Sequence, residues 1–540
     1  MSAFVSRINT TSDQFAKNKE DLLKLVEKMR ALEKRAEAKS ELRRPIFNKR
    51  GQLSPRERLS ALLDPGLPFL ELYNMASYLV DDPDPETTIP RASVTLGIGL
   101  VSGVRCMVFI DDAGINAGAA TAKTVEKVLG CIEIALKQKL PFLHCVESSG
   151  ANLLTYTVEL WAHAGGMFAG LAKLSASGLP VITILHGAST AGGAYQPGLS
   201  DYVIGVKKNG MAMLAGAALV KAATGEDADD QELGGSEMHA ITTGLVEYLA
   251  EDDTHGIELA REVVAGLNWN DNVILAALPS FDAPVYDTSE IAGVVPIDYR
   301  KPYDVREVAA RLVDGSIITE FKPDYGPATV CFQAKIFGQP VGILGNNGPI
   351  DPNGANKAAH FLQLMDQVGT PMIFLNNTTG FMVGAEYEHA GMIKHGSKMI
   401  QAVTNLHVPK LSFYIGASFG AGNYGMCGYA FDPDFLFTWP NAMTGVMGGE
   451  QASITMAQVA RRTAERKGRE VDEEKLAQQS AHIQHHFDKQ SDAFYTSGHM
   501  LDHGMIDPRD TRKVIGFCLQ TCREARVRVI RPNSFGVARL

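Results

Sequence analysis

At 540 residues the chain exceeds one ordinary core and has the length for two large domains. An apolar share of 45% and a charged share of 21% exclude a disordered protein. A formal net charge of −10 and a pI near 5.8 offer no general attraction for nucleic acid or an anionic membrane, and leave open only a local basic patch for a phosphorylated cofactor.

Residues 13–41 are rich in Lys, Glu, Leu and Ala, with Leu22, Leu23, Leu25, Val26, Met29 and Leu32 spaced for one face of a helix. Such an arm either packs on its own domain or dimerises. The N-terminal mixture of Lys and Glu is unlike a signal or transit peptide, and no run approaches the roughly 20 apolar residues of a membrane span. A protein of the cytoplasm is expected, without membrane or nucleic-acid partners. Ser54-Pro55-Arg56-Glu57 reads as a capping box, and the helix it opens should end near Pro65-Gly66.

From residue 92 apolar runs alternate with helix-type segments. Ala92–Leu100, Met107–Ile110, Phe142–Val146 and Val181–Leu185 read as strands, and Thr121–Lys137 and Met167–Ser177 as helices. The alternation predicts an α/β fold with helices covering the sheet. Pro279, Pro284, Pro296 and Pro302 break the pattern between about 276 and 306. A domain boundary is expected there, with a first domain over 1–280 including the arm 13–41, a linker over 281–306 and a second domain over 307–540. Seven cysteines, at 106, 131, 145, 331, 427, 518 and 522, are odd in number and lack a paired C-x2-C pattern, which argues against a disulfide framework and a zinc ribbon.

The second half repeats the first. Segments starting at Gly103, Leu140 and Leu179 are answered by segments starting at Gly338, Thr370 and Val408, at offsets of 235, 230 and 229 residues. Order and spacing both persist, so two domains of one fold are expected. Each strand of the third pair runs into a glycine-rich turn: Gly187-Ala-Ser-Thr-Ala-Gly-Gly-Ala-Tyr195 in the first half, Gly416-Ala-Ser-Phe-Gly-Ala-Gly-Asn-Tyr424 in the second. Small residues let a ligand approach the backbone, whose N–H groups suit an oxygen gaining negative charge. Two such cradles suit a reaction with two developing oxyanions, and the paired sites are expected to face each other within one chain or across a subunit interface.

Asn376–Gly384, Lys394-His395-Gly396, Gly420-Ala-Gly-Asn-Tyr-Gly-Met-Cys-Gly428, Trp439-Pro-Asn-Ala442 and Gly445–Gln451 resemble the C-terminal carboxyltransferase domain of biotin-dependent acyl-CoA carboxylases. Thr190–Tyr195, Leu219–Glu226, Glu232–Gly235 and Asp502–Pro508 extend the resemblance over nearly the whole chain. The wording is nearer to methylcrotonyl-CoA and geranyl-CoA carboxylase β-subunits than to propionyl-CoA carboxylase. The resemblance implies two tandem crotonase-like domains of the ClpP/crotonase type and transfer of a carboxyl group from carboxybiotin to an acyl-CoA thioester. Biotin can serve as the base, so no catalytic carboxylate or histidine is required. It also implies that amides at Ala191, Gly192 and Gly193 hold the thioester oxygen and those at Gly420, Ala421 and Gly422 the biotin ureido oxygen. Ser149, Gly150, Ala151, Ala164, Gly166, Ala169, Phe381 and Tyr424 are the implied substrate-binding residues. Neither an Ala-Met-Lys-Met biotin-carrier motif nor a glycine-rich ATP loop is found in the sequence, so biotin is expected on a separate biotin carboxylase and carrier α-subunit. A hexameric core and no metal are also expected.

The chain departs from the methylcrotonyl branch at Ser148-Ser149-Gly150-Ala151, at Asn116-Ala117-Gly118 and at Ala215–Ala218. Ala164, Gly165, Gly166, Ala169 and Gly170 stand where that branch carries bulky residues. They either widen an acyl pocket for a long branched chain or pack a helix face closely. Glu147, at a strand end, is expected to be hydrogen-bonded rather than catalytic. His395 is either a cofactor contact or a helix residue. His482, His485 and His486 read as a solvated face, and Arg461, Arg462, Arg466 and Lys467 as a basic cluster that is solvated or meets CoA phosphate or a partner. A biotin-dependent acyl-CoA decarboxylase subunit and a non-catalytic assembly subunit are the alternative functions.

Overall fold

The computed structural model describes residues 2–152, 154–468 and 470–533, and the chain forms two compact units. One comprises Ala31–Ala276 with Thr521–Leu540, the other Met1–Arg30 with Ala277–Gln520. The change of unit at Ala276–Ala277 falls where the proline-bearing stretch begins, and the segment 281–306 lies inside the second unit rather than between two. Its Ile291, Ala292 and Val294 are buried, and Gly293 leaves room for the Phe15 ring. Unit membership therefore differs from the linear boundaries, because the described N-terminal residues up to Arg30 group with the second half and the described residues from Thr521 with the first.

In the first unit the strands run β1 (Leu70–Glu71), β2 (Val94–Val101), β3 (Val104–Asp111), β4 (Phe142–Ser148), β5 (Val181–Thr190), β6 (Tyr202–Val206), β7 (Met211–Met213) and β8 (Tyr248–Ala250). The sheet order is β1-β2-β3-β4-β5-β6-β8, with β7 on the far end of β5. β2 and β3 form an antiparallel hairpin, and β3 to β6 are parallel. β4 is buried at every residue, as a strand covered on both faces must be. The helix Ala122–Gln138 turns Val125, Val128, Ile132 and Ala135 inward at helical spacing.

The second unit repeats the plan with β9 (Thr319–Glu320), β10 (Thr329–Ile336), β11 (Gln339–Asn346), β12 (Met372–Thr378), β13 (Lys410–Phe419), β14 (Phe435–Thr438) and β15 (Met443–Gly445). Its order is β14-β13-β12-β11-β10-β9, with β15 on the end of β13. The two hairpins even share their turn: Ser102-Gly103 and Phe337-Gly338 are both two-residue loops with positive φ throughout, the geometry that matches strand twist. The internal repeat read from three segments thus extends to seven strands of each sheet, with β8 of the first left without a counterpart among the described residues.

Most local expectations hold. The arm is one helix over Asp13–Glu41 with Leu22, Val26, Met29 and Leu32 buried, and the capping box at Ser54 and Glu57 is formed in both directions. Four elements run longer than expected, β3 and β4 by two to four residues and two others by more. The helix predicted from Met167 begins at Val158, because Thr157 caps it by accepting from the Leu160 amide. β5 continues five residues past Leu185, because after a shift in register Ser189 pairs with Ser148. All seven cysteines are buried and unbridged.

Asp502, from the C-terminal motif, accepts from the Ser497 hydroxyl and the Gly504 amide, both at 2.9 Å. Burial nevertheless pushes its pKa up to about 6. The folded state therefore keeps this proton to higher pH than the unfolded chain, and stability is lost as pH rises from about 4 through 6. Asp502→Asn is expected to stabilise the protein at pH 7 by up to about 3 kcal/mol, with the gain gone below about pH 4. Thermal unfolding of both forms across that range measures it; a gain that grows on acidification would refute the assignment.

Candidate functional site

The two glycine-rich turns sit at the C-terminal ends of β5 and β13 and are built alike. In the first unit Ala191–Ala194 follows β5 as a single helical turn, and Ala191 holds φ +54°. In the second Gly420 opens the helix Gly420–Gly425 at φ +56°. An alanine in the left-handed region costs about 1 kcal/mol, so the surroundings must hold Ala191 where the twin turn uses glycine. In both turns the leading amides have no carbonyl of their own helix to meet.

A second loop meets each turn. At the end of β4, Gly150 donates to the Ser148 hydroxyl (3.2 Å), and its carbonyl accepts from Ala120 (2.8 Å). At the end of β12, Gly380 donates to the Thr378 hydroxyl (3.3 Å), and its carbonyl accepts from Ile350 (2.9 Å). A Cβ on Gly150 would stand 3.4 Å from the Thr190 carbonyl oxygen and 3.8 Å from Ala191. A Cβ on Gly380 would stand 3.7 Å from the Phe419 carbonyl oxygen, and one on Gly422 only 2.8 Å from the Gly380 Cα. Each cradle is therefore a pair of loops in contact, and in the second the approach of Gly422 to Gly380 leaves no room for a Cβ.

The structure brings Gly150 against Thr190 and Ala191 and Ser148 against Gly193, with Ser149 and Ala151 flanking Gly150 in sequence. The helix Val158–Ala176 reaches this turn through Phe168, whose ring end would lie 3.4 Å from a Cβ on Gly192 and whose ring meets that of Tyr195 edge-on at 5.9 Å. The small residues of that helix divide into two faces. Gly166 and Gly170 lie against Leu129 and Ile132 of the helix Ala122–Gln138, which is close packing. Gly165 has nothing within 4 Å of its Cβ position, and Ala169, one turn on, is exposed, with Ala164 half-buried. In the second unit Phe381 packs against Gly396 and Gly425, and Tyr424, half exposed, tilts over Phe431 at 5.5 Å.

What underlies each turn was not legible in sequence. Behind the first lies a buried ionic set. Arg58 meets Glu147 at 2.7 Å and Asp253 at 3.1 Å, and Asp253 meets His186 at 3.0 Å. Gln52 bridges Glu147 and the His186 carbonyl. Burial opposes charge on Arg58, but the two carboxylates outweigh it and hold its pKa above the ordinary value. Burial, with Arg58 beside it, holds His186 below its ordinary value. Glu147 is thus a structural anchor of β4, and Gly187 is the residue that leaves space for its carboxylate. Behind the second turn the corresponding strand position is Asn377, beside Gly416.

His395 lies in the helix Met392–Thr404, within 3.4 Å of Lys398. His482, His485 and His486 are exposed. Arg461 pairs with Glu473 on the neighbouring helix at 2.8 Å. Among the described residues no cluster of His, Cys, Asp and Glu is arranged to hold a metal, and no helix is long and apolar enough to cross a membrane.

Residues 47–534 match the carboxyl transferase domain family. A probable biotin-dependent acyl-coenzyme A carboxylase beta2 subunit of Mycobacterium tuberculosis is 46% identical over 493 residues, 91% of each chain. The mitochondrial methylcrotonoyl-CoA carboxylase beta chain of Dictyostelium discoideum is 41% identical over 496 residues, 91% of this chain and 83% of its own. The crystal structure of the P. aeruginosa geranyl-CoA carboxylase beta subunit superposes with a TM-score of 0.93 at 46% identity, covering all of both chains.

Proposed function

We propose, from the premise that this chain belongs to the carboxyl transferase domain family, that it is the carboxyltransferase subunit of a biotin-dependent acyl-CoA carboxylase that uses two backbone oxyanion cradles. The observation that carries this reading is the duplicated pair of loops, at 148–151 with 190–193 and at 378–381 with 419–422. The first cradle, with Ala191, Gly192, Gly193 and the adjoining Gly150 and Ala151, holds the thioester oxygen as negative charge develops on it. The second, with Gly420, Ala421 and Gly422, holds the ureido oxygen of biotin; the reading is supported by the small residues of this turn and by the close approach of Gly422 to Gly380. When bound, biotin supplies the carboxyl group and a basic ring nitrogen. The chain's own residues then have positioning and charge stabilisation to perform, and each well-aimed donor is worth roughly 3 to 4 kcal/mol. No side-chain acid or base is assigned.

Biotin is carried by a separate biotin carboxylase and carrier α-subunit, and the complex works in the cytoplasm. A homo-oligomeric, hexameric core accords with the apolar residues left exposed on the helix Gly449–Arg466, namely Ile454, Met456 and Val459. The substrate is a branched or unsaturated enoyl-CoA, of the 3-methylcrotonyl or geranyl kind. Support for the longer chain comes from Ala164, Gly165 and Ala169, the less covered face of the helix that touches the first cradle. Gly165→Phe is expected to leave the melting temperature unchanged and to lower turnover of long branched enoyl-CoAs at least tenfold more than that of short ones. Equal losses on both would remove this face from the acyl pocket.

The deciding experiment supplies the purified chain with free biotin and a carboxyacyl-CoA and follows loss of CO2. Turnover with this chain alone, and ATP-dependent carboxylation only when the α-subunit is added, supports the proposal. Inactivity in both would favour an assembly role, and dependence on a membrane partner would favour a decarboxylase.

A further inference from the structure

The deepest difference between the two halves lies under the turns. In the first unit Val146, Leu185 and Ala212 form a small apolar cluster with Ala194 packed on it. Sheet register places Asn376 beside Tyr414 in the second unit as it places Val146 beside Leu185 in the first, and Ser418 beside Thr378 as Ser189 beside Ser148. At the same place the second unit therefore holds hydrogen bonds instead of hydrocarbon. Asn423 donates to the Ser418 hydroxyl at 2.8 Å and to the Tyr414 hydroxyl at 3.1 Å. Ser418 donates to Asn376 at 3.1 Å, and Asn376 donates to the Met426 carbonyl at 3.1 Å. Tyr414 also accepts from the Tyr429 amide at 3.1 Å, and Ser412 donates to the Cys427 carbonyl at 2.6 Å. All four side chains at 376, 414, 418 and 423 are buried.

A buried polar network costs more than an apolar filling unless every member is satisfied, and then it fixes one geometry. Its members here bracket the turn. Ser418 precedes Gly420–Gly422 and Asn423 follows them, so the bond between the two closes a short loop around those three amides. Asn376 and Ser412 hold the carbonyls on which the same segment ends. Gly428 completes the bracket, since a Cβ there would collide with the Asn423 side-chain oxygen. The trio Val146, Leu185 and Ala212 at the matching place in the first unit has no such directional constraint, and the ionic set there ties Glu147 and His186 of the strands rather than the residues that bracket the turn.

We propose that Asn423 is a positioning residue, acting with Tyr414, Ser418 and Asn376 to lock the amides of Gly420–Gly422 in the orientation that biotin meets. The inference rests on the assignment of the second cradle to biotin, and its test separates the two. Two variants are used: Asn423→Ala, which places at this position the residue the first half carries, Ala194, and Tyr414→Phe, which keeps the ring and removes only the hydroxyl. Amide hydrogen exchange is measured in the full chain at 420–424 and at 191–198, along with KM for free biotin and for a carboxyacyl-CoA.

Exchange at 420–424 is expected to rise at least tenfold in Asn423→Ala and less in Tyr414→Phe, with 191–198 unchanged. KM for biotin should rise at least tenfold and threefold respectively, with KM for the CoA ester within twofold of the parent. Unchanged exchange at 420–424 would overturn the proposal, as would a general loss of protection in both turns, which is the mark of a merely structural role. Faster exchange confined to 420–424 with only the CoA-ester KM raised would uphold the positioning role and overturn the assignment of that cradle to biotin.

Discussion

Gly422→Ala is expected to lower carboxyl-transfer turnover at least about 100-fold, the scale of an ångström's misplacement of a catalytic group. The added Cβ would stand 2.8 Å from the Gly380 Cα, 3.1 Å from the Gly380 carbonyl carbon and 3.1 Å from the Thr378 methyl. Two of those three atoms are backbone, so the clash cannot be relieved by a side chain rotating away. The loop at 378–381 and the turn at 419–422 must separate, and the amides at 420–422 shift with them. Gly192→Ala makes the useful comparison. Its Cβ would meet only the end of the Phe168 ring, at 3.4 Å, and the corresponding residue of the second turn is already Ala421. It should cost far less. Steady-state turnover of both variants in the free-biotin assay, with circular dichroism to verify folding, decides the matter. Equal losses, or a Gly422→Ala protein as active as its parent, would show that the close approach of the two loops is not what sets the cradle.

The second large effect concerns Arg58, which is wholly buried between Glu147 and Asp253. Arg58→Ala leaves two carboxylates in the interior without their cation, and removal of one partner from such a set costs roughly 3 to 5 kcal/mol. For a unit of this size that corresponds to a fall of about 10 °C in melting temperature. The loss should not be read as the worth of the ion pair. Combining Arg58→Met with Glu147→Gln and Asp253→Asn removes the charges of all three partners together and is expected to recover more than half of the loss, since the second unit holds the neutral Asn377 where the first has Glu147. Calorimetry of the single and the triple variant tests this. A single variant within 2 °C of the parent would mean that water or a rearranged Arg50, 3.8 Å from Glu147, compensates the charge.

Gly187 and Gly416 look identical in sequence, yet one accommodates a carboxylate of an ionic set and the other the amide of Asn377. The repeat announced two similar sites and concealed that they are supported differently. Likewise the run of small residues from Ala164 to Gly170 read as one stripe. The structure splits it, with Gly166 and Gly170 turned toward Leu129 and Ile132 and Gly165 left open, because successive helical positions point about 100° apart and only a neighbouring helix defines which face is inside.

By itself the sequence determined what local chemistry can encode: the capping box at Ser54, the arm over 13–41, the apolar strands, the x-Pro-strand-glycine repeat and the motifs that carry the family. These depend on residues a few positions apart, where steric preference and hydrophobic period act directly on the chain. Tertiary structure alone decided which loops meet, that Phe168 reaches the first turn, that Arg58 pairs with residues 89 and 195 positions away, and that Asn376, Tyr414 and Asn423 converge under the second. A buried polar side chain is stable only beside its partner, and no rule of spacing names a partner that the fold brings from so far along the chain.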